Sequence, residues 1–253
     1  MRTSGRSMVG AALMATGLLF CLHAGRAAQD NEEPADTTAK HDAGVQSAPE
    51  TQLLYIPPDR GAPEVRVSGG TRGASNDGLR IDVLSPDQTG LTIQEQPTLY
   101  WYSSAPIRGG ARISIVAEKT NKTAMDDPIP GPLPAGIHAI GLRGTAVRLA
   151  LNADYQWSVT EERSATDPSR NIVTSGMIRR VAPPGATSGT NLRASAEGCA
   201  EYARAGLWYD ALDAVSESIQ HAPLDGRLRL LRSKLLQQVG LTNAATADRA
   251  GVH

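Results

Sequence analysis

The sequence predicts a mainly β protein with an α-helical tail: a β-sandwich followed by a few short helices. Three observations predict it. Between residues 79 and 182, short alternating apolar runs are separated by turn residues about every 8–12 positions, the spacing of sandwich strands. Tyr100, Trp101 and Tyr102 stand together in a chain with one Phe, three Trp and six Tyr, and aromatic rings bring the largest buried area per residue. After Pro183-Pro184-Gly185 the apolar period lengthens from that of a strand to that of a helix.

The chain has 253 residues, a net charge of -1 and 40% apolar residues. That is enough for one sandwich-sized core and something smaller. With no strong basic field, no nucleic-acid partner is expected.

At the N-terminus, Arg2 and Arg6 precede an apolar run from Met8 to Leu22, broken only by Gly10, Thr16 and Gly17. Small residues follow at Ala24, Gly25, Ala27 and Ala28. This is the pattern of a secretory signal peptide, residues 1–27, cut after Ala27. The run is too short to be read as a spanning helix, so no integral membrane span is expected after signal removal. A lipoprotein reading through Leu18-Leu19-Phe20-Cys21 places Phe20 poorly before a lipidated cysteine. Cys21 leaves with the signal, and Cys199 is then alone and reads as a buried thiol at a helix contact.

Residues 28–52 carry almost no large apolar groups and are expected to be a disordered leader. Residues 53–78 form a lead-in with Leu53-Leu54-Tyr55-Ile56-Pro57-Pro58 and the arginines Arg60, Arg66 and Arg72. Prolines favour extended backbone and glycines permit turns, so the segment reads as lying along the sandwich edge. No strand-then-helix context supports a phosphate loop there.

The sandwich is expected over 79–182. Leu79 to Val83 alternates. Gly90 to Tyr102 reads as strand, turn, strand, the inner pair of one antiparallel sheet, with Leu99 and Trp101 facing the core and Tyr100 and Tyr102 facing the other way. Arg112 to Ala117 is a further strand, and the polar stretch from Lys119 to Pro132 reads as an edge strand and a loop. Gly136 to Leu142, Tyr155 to Val159 and Ser175 to Val181 complete the set. Leu149 to Val159 resembles the tyrosine corner of fibronectin type III and immunoglobulin-like sandwiches, with Tyr155 bonding the backbone of the preceding turn and Trp157 and Val159 facing inward.

Residues 183–192 read as a linker and 193–253 as the helical tail. Ala196, Cys199, Ala200, Ala203 and Leu207 recur at helical spacing; Gly206 breaks the helix; Trp208, Ala211, Leu212, Val215 and Ile219 form a second stripe. Asp225 is read as the N-cap of a third helix that Gly240 closes. Cys199, Tyr202, Gly206, Trp208, Ala211, Val215 and Pro223 resemble one tetratricopeptide repeat, and a single repeat must dock on something to bury its face.

No reaction is legible. The histidines at 41, 138, 221 and 253 are isolated, with no His-Glu-x-x-His and no Gly-x-Ser-x-Gly. His138 reads as a half-exposed sheet histidine. Asp126-Asp127 and Glu161-Glu162 lack the spacing of a calcium loop. No cofactor and no metal are expected. Asn121-Lys122-Thr123 fits a glycosylation sequon, a short pattern that recurs by chance.

The pieces in order are Tyr55-x-Pro57-Pro58-x-Arg60-Gly61, Gly69-Gly70-Thr71-Arg72-Gly73, Gly90-Leu91-Thr92, Pro97-Thr98-Leu99-Tyr100-Trp101-Tyr102, Tyr155-x-Trp157, Gly176-x-Ile178-x-Arg180-Val181 and Gly206-Leu207-Trp208-Tyr209-Asp210-Ala211-Leu212. Together they resemble the bacterial family catalogued as domain of unknown function DUF 928 over about residues 53–241. The resemblance implies export and this architecture, and supplies no catalytic residue. The expectation is therefore a non-enzymatic exported protein with a protein partner in the periplasm or cell envelope. The rival is a carbohydrate- or anion-binding sandwich using Arg60, Arg66, Arg72, Tyr100 and Tyr102; a hydrolase is third.

Overall fold

The computed structural model describes residues 53–58, 65–67, 78–164, 166–185 and 194–251. The signal and leader readings, Arg60, Arg72 and most of the expected linker lie outside the described residues. Eight strands are β1 (Ile81–Val83), β2 (Gly90–Thr92), β3 (Thr98–Ser103), β4 (Ala111–Ala117), β5 (Lys122–Ile129), β6 (Gly136–Gly141), β7 (Asp154–Glu161) and β8 (Ile172–Arg180). Four helices follow: α1 (Ala196–Arg204), α2 (Trp208–His221), α3 (Gly226–Gln237) and α4 (Thr242–Ala250). The strands form two sheets, ordered β1-β3-β6 and β2-β8-β7-β4-β5.

Alternation decides what is buried. In β4, Ile113 and Ile115 are buried while Arg112, Ser114 and Val116 between and beside them are half-buried. They pair with Val159 and Trp157 of β7, which are buried too. Gly176 lies opposite Trp157 in β8. A Cβ there would stand 2.6 Å from Ser85 Cβ and 3.3 Å from Val83 Cγ2, so the missing side chain lets the chain beyond β1 approach closely. Trp101 also faces this core, beside Val83 and His138.

The expected pairing of Gly90–Thr92 with Thr98–Ser103 is not what forms. β2 runs parallel to β8, while β3 is the central strand of the three-stranded sheet. Gln94 to Pro97 carries the chain from one sheet to the other, and alternation on both sides of a turn does not say whether its flanking strands pair. Gln96 fixes this crossing by donating from Nε2 to the carbonyls of Leu142, Thr145 and Val147. The tyrosine-corner bond is present: Tyr155 Oη accepts from the Ala150 N–H at 3.1 Å. β5 is the edge strand the polar stretch predicts.

In the tail, Ser195 caps α1 and Asp225 caps α3, each side chain accepting a backbone N–H. Gly206 and Gly240 take positive φ, 75° and 74°, after α1 and α3. Cys199 is fully buried, and burial pushes its thiol up to about 12. The short, alanine-rich α4 was not expected; the buried Arg232 guanidinium holds it to α3 by two 2.7 Å bonds to Asp248.

Helix α2 packs on β2 and β3, and α4 on β6. The start of α2 enters the sandwich. Trp208 Nε1 donates to the Leu84 carbonyl at 2.8 Å. Tyr209 Oη accepts from Trp157 Nε1 at 2.8 Å, donates to the Met177 carbonyl at 3.0 Å, and lies 3.2 Å from Ser85 Oγ.

Tyr209→Phe leaves a buried indole N–H and a buried carbonyl without their partner, so it should lower unfolding free energy by about 1–3 kcal/mol in urea melts. Trp157→Ala removes the ring as well and should lower it by about 3–5 kcal/mol. A Trp157→Ala protein melting within a few degrees of wild type would reject this placement.

Candidate functional site

Of the residues considered for ligand binding, the three that are described, Arg66, Tyr100 and Tyr102, are used inside the molecule. Arg66 donates from Nη1 to the carbonyls of Ser85 (2.8 Å) and Val239 (3.1 Å), and its Nη2 lies 2.6 Å from Asp87 Oδ1. It therefore ties the lead-in both to the sandwich and to the end of α3. Tyr100 is only 3% exposed, and its hydroxyl donates to Asp213 of α2 at 2.7 Å. Burial and the Asp213 carboxylate hold its phenol well above the usual range. Tyr102 is buried as well, opposite Asp82 in the register. An exposed aromatic face at Tyr100 and Tyr102 is thus corrected: both rings are buried, and α2 meets Tyr100 through Asp213.

Ser103 Oγ and His138 Nε2 stand 3.1 Å apart, a dyad the sequence did not show. Ser103 is fully buried, and desolvation lowers the affinity of His138 for a second proton. Asp82, paired with Tyr102, belongs to the opposite face of the sheet from His138, paired with Trp101. No carboxylate orients the imidazole from there, and the pair fastens β3 to β6. Among the described residues, no group of three or more His, Cys, Asp and Glu is placed to hold a metal ion. Asp126 is paired with Arg112 at 3.4 Å.

Two places have unusual chemistry. The first is a cavity of about 10 Å³ lined by Gln94, Tyr202, Asp210, Asp213, Ala214 and Glu217, about the room one water needs. Asp210 is 5% exposed and its Oδ2 accepts from the Ile93 N–H at 3.1 Å. Burial pushes its carboxyl up to about 6, with Asp213 adding to the rise and hydrogen bonds from residues 92–94 opposing it.

The second is a groove on the helices, filled by Leu53 to Pro58. The Gln238 side chain at the end of α3 takes this segment by its backbone, with Oε1 accepting from the Tyr55 N–H (2.7 Å) and Nε2 donating to the Leu53 carbonyl (3.1 Å). The Ala203 carbonyl near the end of α1 accepts from the Ile56 N–H at 3.1 Å. Gly206 forms the floor: a Cβ there would stand 2.9 Å from the Ile56 carbonyl oxygen. The Tyr55 ring meets Trp208 edge-on with centroids 5.0 Å apart.

The sequence profile of the family described as Domain of Unknown Function (DUF928) matches residues 67–249. The chain belongs to the DUF928 family. No curated protein matches this DUF928 chain. A DUF3244-family protein with an immunoglobulin-like β-sandwich fold from Bacteroides vulgatus is similar over 32% of this chain and 74% of its own, at 15% identity and a TM-score of 0.23. A multi-domain immunophilin from Arabidopsis thaliana is similar over 66% of this chain and 98% of its own, at 8% identity and a TM-score of 0.18. Overlaps this loose assign no fold. No helix among the described residues is long and apolar enough to cross a membrane.

Gln238 and Asp210 escaped sequence reasoning because nothing local marks them. Each acts on residues more than a hundred positions away in the chain. The only sequence signal was an acidic residue just after Trp208-Tyr209, of which Trp208 belongs to the expected apolar stripe.

The Asp210 carboxyl binds its proton more tightly folded, at about 6, than unfolded, near 3.8. Its contribution to stability is full below the unfolded value and is lost as pH rises through about 6, a change of about 3 kcal/mol. Urea melts of wild type and Asp210→Asn across this range should therefore diverge, with the variant gaining on wild type as pH rises. Parallel curves would contradict the burial of an ionisable Asp210.

Proposed function

We propose that this DUF928 protein is a non-enzymatic, exported protein-interaction module of the periplasm or cell envelope. One observation carries this reading: the helices already hold an extended peptide, Leu53–Pro58, by its backbone. A fold that grips a peptide main chain in this way has the elements of peptide recognition. The N-terminal charged region, apolar run and small-residue site support export.

The finer architecture in this reading is an immunoglobulin- or fibronectin-like sandwich carrying a tetratricopeptide-like hairpin. The strand orders β1-β3-β6 and β2-β8-β7-β4-β5, with a corner-forming tyrosine at the start of β7, support the first part. The α1–α2 hairpin turning at Gly206 supports the second.

Purified mature protein, immobilised and exposed to envelope extract, should retain a specific partner, and cell fractionation should find the chain outside the cytoplasm with its N-terminus at Ala28. A repeatable blank from folded protein would contradict the interaction role. An uncleaved cytoplasmic chain would contradict export.

A further inference from the structure

We infer that the groove formed by α1, α2 and the end of α3 is a receptor for an extended peptide of the pattern apolar–any–aromatic–aliphatic–proline, filled in this chain by its own Leu53-Leu54-Tyr55-Ile56-Pro57. This rests on the interaction reading and names its site and partner chemistry.

The bonds that hold the segment go to main-chain atoms. The Gln238 amide spans the Leu53 carbonyl and the Tyr55 N–H, and the Ala203 carbonyl takes the Ile56 N–H. Any extended peptide offers the same atoms at the same spacing, as in strand-like peptide recognition. Selectivity is concentrated in two side chains. Leu53 is 9% exposed and Tyr55 5%, whereas Leu54 between them is 51% exposed and contributes no pocket. Tyr55 is the anchor, edge-on to Trp208. Gly206 fixes the position after it, because a side chain there would collide with the Ile56 carbonyl and stand 3.3 Å from Pro58 Cδ. The proline that follows holds the backbone extended.

A segment tethered next to its site competes at an effective concentration of about millimolar. The groove is therefore closed to a weaker peptide in trans until the anchor is withdrawn. A partner must carry a better anchored copy of the pattern.

The test uses the full mature chain and a fluorescent synthetic peptide of sequence Leu-Leu-Tyr-Ile-Pro-Pro, read by anisotropy. Wild type should show no saturable binding at micromolar protein, Tyr55→Ala should bind, and Tyr55→Ala with Gln238→Ala should bind about tenfold more weakly or worse. A Tyr55→Ala protein that melts cooperatively yet does not bind overturns the proposal, as does binding indifferent to Gln238. A second arm leaves the groove intact by replacing residues 59–64 with a protease site. After cutting, the labelled peptide should exchange into the folded body. Failure to exchange, or loss of the fold on cutting, would make the segment an integral part of the core and overturn the proposal. Both arms use purified protein alone, so a blank envelope pull-down with positive peptide binding rejects the envelope role and leaves the groove standing.

Discussion

The structure depends on the phenol of Tyr209. Its hydroxyl takes the Trp157 indole N–H from the centre of the five-stranded sheet and gives its own proton to the Met177 carbonyl of the same sheet. The ring edge fits only because residue 90 has no side chain; a Cβ on Gly90 would lie 2.7 Å from Tyr209 Cε2. Next to it, Trp208 satisfies the Leu84 carbonyl just beyond β1. The first two residues of α2 thus close the core of the sandwich, and neither part is complete without the other. A buried indole N–H without an acceptor carries a desolvation penalty, so the sandwich needs the helix as much as the helix needs somewhere to bury its rings.

This explains why the polar contacts of α2 are so consistently internal. Asp210 meets the Ile93 N–H and Asp213 meets the Tyr100 hydroxyl. Through Asp213 the helix meets Tyr100 on the outer face of β3, a strand buried on both sides. Arg66 and the segment 53–58 then fasten the far side, reaching α3 through Val239 and Gln238. The lead-in is the third partner in the same junction, joined to both layers by backbone contacts.

How much of this the sequence carried can be judged residue by residue. Strand periodicity located β1, β4 and β7 because Ile81 and Val83, Ile113 and Ile115, and Tyr155, Trp157 and Val159 are buried at every second position; β6 and β8 were located by short apolar runs between turn residues. The Leu149–Val159 pattern located the Tyr155 corner because its spacing is local. Capping chemistry located the start of α3 at Asp225. What was not legible was non-local. Gly90–Thr92 joins β8 across the other sheet, a choice written in Gln96, Gly176 and Tyr209 jointly. Tyr100 looked exposed because alternation alone cannot tell solvent from a helix laid over the strand. α4, with Ala244 and Ala245 as its buried residues beside Asp248, has too little apolar contrast to show a stripe.

The central claim is that two β layers and four helices form one cooperative body, locked at Trp157 and Tyr209. Differential scanning calorimetry of the purified chain tests it most directly. One transition whose calorimetric and van't Hoff enthalpies agree is the expected result. Two resolved transitions, one for a freestanding sandwich and one for a separable helical tail, would contradict it.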